Sequence, residues 1–184
     1  MESMLLSVIV FVLVIVLLPA VFTGLLSLGF YYILAKAQPV IGKLAPIVIG
    51  LFLAVLVPVI SLFYTPWLRP ILLVLDLAML SLGVLTPFML LRNRLPEQRL
   101  SKILFSGSAI TVAVMLVYGF AMAFGGEGAS PVSQYLMSLP LPEIGLPIIS
   151  LVMAYLAAVL ISTVVFGAVL AVVTAFRERE VQSG

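Results

Sequence analysis

"PILLVLDLAMLSLGVLTPFMLL", residues 70–91, is long and apolar and carries a single charge, Asp76. Runs of about 18 or more apolar residues with few or no charges read as helices that cross a bilayer. Similar stretches lie on both sides of it, at 4–35 and 44–63 before it and at 103–124 and 147–176 after it. Continuous runs of this kind suit helices, because membrane barrel strands alternate in short segments. The expected fold class is therefore all-α: a polytopic transmembrane helical bundle of five spans, forming one domain over residues 1–184.

Composition agrees. The chain is 64% hydrophobic and 9% charged, whereas soluble domains are roughly a quarter charged. It contains no cysteine and no histidine. That removes disulfides, a thiolate nucleophile, Cys/His metal, haem or iron–sulfur ligation, and the usual general base near neutral pH. No glycine-rich phosphate loop, carboxylate pair or serine beside a base is present. No enzymatic activity, cofactor or nucleic-acid partner is expected.

Charge asymmetry predicts orientation. Lys36 and Lys43 separate spans one and two, Arg92, Arg94, Arg99 and Lys102 separate spans three and four, and Arg177 and Arg179 follow span five. Five spans put all of these on one side, leaving only Arg69 on the other. The positive-inside rule makes that side cytoplasmic, with the N-terminus out and the C-terminus in. The cell membrane is the expected location. The loop at 92–102 reads as a solvated, positive-inside connection, with anionic lipid or a partner subunit as the other candidates for contact.

The N-terminal run has no Lys or Arg before it, which a secretory signal needs, so it is expected to stay as a membrane helix. At ~1.5 Å per residue, span one is roughly 48 Å long against a hydrocarbon core of ~30 Å. It is expected to tilt, to kink near Pro19, or to carry Tyr31 and Tyr32 at the interface. Two half-helices meeting near "PAVFTG" (19–24) are the alternative. Ser130 and Pro131 predict the start of a short outer-surface helix at 131–138. Interior prolines at Pro19, Pro58 and Pro87 free the carbonyls four residues earlier. Thr86, beside Pro87, is placed to re-satisfy backbone groups, with a kink expected near Gly83.

Membrane helices associate through small side chains that permit close approach. Ser150, Ala154, Ala158 and Ser162 recur at four-residue steps in span five, and span four offers Gly107 and Thr111. These are the expected helix-packing faces. The first half of span one, 5–18, is leucine and β-branched residues and is expected to face lipid or an apolar partner.

Asp76 is the chain's only aspartate. At the centre of a span it costs about 2.5–3.5 kcal/mol to insert, so it is expected to face protein or water, paired or protonated. Arg69 lies seven residues earlier on nearly the same face, about 10 Å up the axis. Asp76 is a proton or cation site, a polar clamp to another helix or subunit, or a group in a wet vestibule. Proton relays chain several titratable groups, and a lone acid favours the clamp.

The chain length, the five-span layout, "QPV" at 38–40 after span one and the long outer loop before span five resemble one family. This is the J-type five-helix membrane subunit of respiratory complex I and related hydrogenase-like complexes. The resemblance implies a non-catalytic integral-membrane subunit of an energy-transducing complex, with helix packing and part of an ion path as its contribution. That family's third span carries a tyrosine and a small-residue run forming a π-bulge. Here "LDLAMLSLGVL" (75–85) has no tyrosine and only Ala78, Ser81 and Gly83 as small residues, so no functional residue is carried over. The alternative function is a small homo-oligomeric channel or transporter with Asp76 facing a water-filled pathway.

Overall fold

A computed structural model describes residues 9–10, 12–36, 41–63, 68–124 and 144–182. Among them are five helices long and apolar enough to cross a membrane, and no strand. A π-helical stretch, Val12–Leu17, runs directly into α1, Leu18–Lys36. The others are α2, Ile41–Ser61; α3, Arg69–Leu91; α4, Leu100–Phe124; and α5, Gly145–Gln182. Two short 3-10 turns, Arg92–Arg94 and Glu97–Arg99, connect α3 to α4. The surface helix expected at 131–138 and the "QPV" stretch lie outside the described residues.

Span one is helical through Pro19, so the pair of half-helices meeting at 19–24 is not what forms. Proline removes an N–H and crowds the carbonyl four residues back, here that of Ile15. The π-helical turns occupy this stretch, and local π adjustment is one way a membrane helix accommodates proline. Thr23 adds a hydroxyl bond to the Pro19 carbonyl at 2.8 Å. α2 begins three residues before the expected Leu44 and so takes in Lys43, which moves Pro46 from the first turn into the body of the helix.

α3 is the axis of the bundle and packs against all four other helices. Ala78, Met79 and every residue from Ser81 to Met89 are buried. Its first turns are different: Pro70 occupies the first turn, where its missing N–H costs nothing, and Ile71, Leu73 and Val74 are exposed. The helix is enclosed along its second half and stands at the bundle surface along its first.

Glycines set how closely the helices approach. A Cβ on Gly107 of α4 would overlap the ring of Phe166 in α5, and one on Gly24 of α1 would come 2.8 Å from the ring of Phe105 in α4. Phe166 continues into a cluster at the basic end with Phe88 at 5.4 Å, and Tyr31 lies 5.5 Å from Phe88. Tyr31, expected at the interface, is thus buried, whereas Tyr32 is exposed. Val14, Ile15, Leu17 and Leu18 are exposed, with Val16 turned inward.

Candidate functional site

Two polar groupings lie within the bundle around α3. In the first, Tyr155 of α5 is 1% exposed and reaches between α2 and α3. Its hydroxyl donates to the Pro46 carbonyl at 3.2 Å and lies 3.1 Å from the Thr86 hydroxyl. Thr86 in turn donates to the Leu82 carbonyl at 2.9 Å. The tyrosine fits because its neighbour Gly50 lacks a side chain, and Gly83 lets α5 come close. A Cβ on Gly50 of α2 would overlap its ring, and one on Gly83 of α3 would lie 3.0 Å from the Ala158 Cβ. Buried tyrosine hydroxyls usually find a partner, and this one has two oxygens within reach.

A hydroxyl seam between α1 and α3 extends the grouping. Ser81 donates to the Leu77 carbonyl at 2.6 Å and approaches the Thr23 carbonyl at 3.3 Å, while Ser27 reaches the Ser81 carbonyl at 3.5 Å. Thr23, Ser27 and Ser81 are all fully buried. Each of these hydroxyls is satisfied by a backbone carbonyl, as low-dielectric surroundings demand. They join helices to each other.

Asp76 forms the second grouping. It is half-buried on α3, where the enclosed half of the helix gives way to the exposed half. Seven residues make nearly two helical turns, so Asp76 stands above Gly83 on the face that there meets α5. Its Oδ1 is buried with no hydrogen-bond partner among the described residues. Arg69, exposed at the head of α3, does not donate to that oxygen. Among the described residues no three carboxylates gather into one cluster.

The packing residues fall as follows. Ala158 and Ser162 are fully buried, Ala154 is half-buried, and Ser150 is exposed. The expectation that Ser150 continues this seam is corrected. The buried line on α5 is Tyr155, Ala158, Ser162 and Phe166, which mixes three- and four-residue steps as a 3.6-residue helix requires. A strict four-residue series drifts round the helix and carries Ser150 off the contact. Gly107 lies under Phe166, and Thr111 is fully buried, its hydroxyl donating to the Gly107 carbonyl at 2.8 Å.

Tyr155 was missed by sequence reasoning. The signal available was a tyrosine mid-span, where a phenol needs a partner, with a glycine at 50 to receive it. Comparison with family models, characterised proteins and solved structures finds no match to the chain.

Proposed function

We propose that this chain is a non-catalytic integral-membrane subunit of a larger complex. On this reading it sits in the cell membrane, N-terminus outside and C-terminus in the cytoplasm. An energy-transducing assembly is the class that its layout suggests. The observation that carries the reading is the Asp76 Oδ1, buried and without a hydrogen-bond partner among the described residues, at the point where α3 reaches the bundle surface. A carboxylate oxygen in that position needs a donor, and the exposed Ile71, Leu73 and Val74 on the same turns of α3 are the apolar surface that a neighbouring subunit's helix would cover. The interior supports the same reading. The buried hydroxyls of Ser81, Thr86, Ser108, Thr111 and Ser162 are bonded to helix carbonyls. Each of these bonds runs to the carbonyl four residues back in the same helix, so the hydroxyls are satisfied locally.

Native mass spectrometry of the gently solubilised protein from its own membranes tests this, with Asp76→Asn and Asp76→Leu beside the wild type. The wild type is expected to emerge with other subunits, and Asp76→Leu to weaken their retention at least tenfold. A homo-oligomer that survives both substitutions would sink the subunit reading and move the question to ion flux.

A further inference from the structure

One end of the bundle, where α1 meets α2 and α3 meets α4, is basic. Residues 92–102 hold Arg92, Arg94, Arg99 and Lys102 against one acid, Glu97. Lys43, near the start of α2, is exposed at the same end. These charges are held in place. The Leu95 N–H donates to the Arg92 carbonyl and the Arg99 N–H to the Pro96 carbonyl, each at 3.1 Å, closing the two 3-10 turns. Between them Leu95 is 5% exposed and packs in the cluster of Tyr31 and Phe88. The Arg92 guanidinium lies 5.4 Å from the centre of the Tyr31 ring, a cation–π geometry. Arg94, Arg99 and Lys102 are left exposed.

Depth identifies the ligand. Tyrosines mark the level of the membrane interface, and exposed Tyr32 stands beside Tyr31 near the end of α1. The basic turns follow directly beyond the ring that Arg92 covers, so the same rule sets them at the level of lipid phosphates. We propose that this end of the bundle binds the headgroups of anionic phospholipids, with Arg94, Arg99 and Lys102 as the engaging cations and Arg92 as the anchor that positions them. Charge complementarity selects this occupant: four cations and one acid leave a net +3 on residues 92–102, facing a leaflet surface. Each Lys or Arg near an anionic membrane strengthens attraction roughly fivefold. The inference does not depend on the reading of Asp76, which lies towards the opposite end of α3.

The test uses the full-length protein in phosphatidylcholine vesicles containing a minor fraction of phosphatidylglycerol. Spin-labelled forms of the two lipids report their relative association with the protein. Phosphatidylglycerol is expected to be preferred at least fivefold at low salt, and the preference to fall as salt screens the charges. In R94Q/R99Q/K102Q the two lipids should associate equally. All three positions are exposed, and unchanged thermal unfolding checks that the fold persists. Equal association of both lipids with the wild type overturns the proposal, as does a preference insensitive to salt or one that survives the triple substitution. Loss of a co-purifying protein from the triple variant, with lipid preference unchanged, assigns this face to a protein partner and overturns it as well.

Discussion

Tyr155 has one proton and two oxygens to give it to. If Thr86 donates to Leu82, the tyrosine can donate to Pro46 or to Thr86, but not to both at once. The three contacts therefore act as one unit, and the hydroxyls of Tyr155 and Thr86 do not contribute independently. Tyr155→Phe is expected to destabilise the bundle by about 1–2 kcal/mol, within the range for buried and intramembrane hydrogen bonds. Thr86→Val should cost a similar amount, and the double variant clearly less than the two costs added. Equilibrium unfolding in mixed micelles checks the cycle, and strict additivity would show the hydroxyls to be uncoupled. Asp76 was legible in the sequence as an isolated acid, because composition alone exposes it. Tyr155 was not, because its role depends on a glycine and a proline carbonyl that only folding brings to it.

At the scale of the helices, the contacts follow a recurring rule: a glycine on one helix receives a ring from another. Gly107 takes Phe166 and Gly50 takes Tyr155, whereas nothing lies within 4 Å of a Cβ placed on Gly29. Gly107→Ala is thus expected to cost about 1–3 kcal/mol by overpacking. Gly29→Ala should be neutral or stabilise slightly, since alanine is the better helix former. Thermal unfolding of the two variants in the same detergent separates them, and equal effects would contradict the packing. The spans themselves were readable from uninterrupted hydropathy. Ends such as the start of α2 were less so, because a helix can continue past the hydrocarbon and include a charge like Lys43. The stepwise series Ser150, Ala154, Ala158 and Ser162 located the α5 contact, but its phase followed four-residue spacing. The helix turns every 3.6 residues, and that difference decides which end of the series is covered.

At the scale of the molecule, five helices among the described residues, with Lys43 and the α3–α4 turns at one end, make a topology that can be tested directly. The chain lacks cysteine, so single cysteines can be introduced without removing others. Cysteines replacing Lys43 and Arg94 are expected to react with an impermeant maleimide from the cytoplasmic side, and one replacing Phe63 from the outside. Labelling of residues 43 and 94 from opposite faces would overturn the arrangement. Arrangement around the axis was beyond the sequence, since nothing in hydropathy says that span three stands in the middle. That central place also imposes an order in time. The carbonyl of Pro46 and the hydroxyl that closes on it are 109 residues apart, and ribosomes add about 5–20 residues per second. Span three, whose Thr86 precedes Tyr155 by 69 residues, therefore enters the bilayer with its polar seam half made and waits roughly 3–14 s for the last helix. During that interval the nascent chain is a natural substrate for insertion chaperones and for quality-control proteases, and its safe assembly depends on how quickly translation finishes.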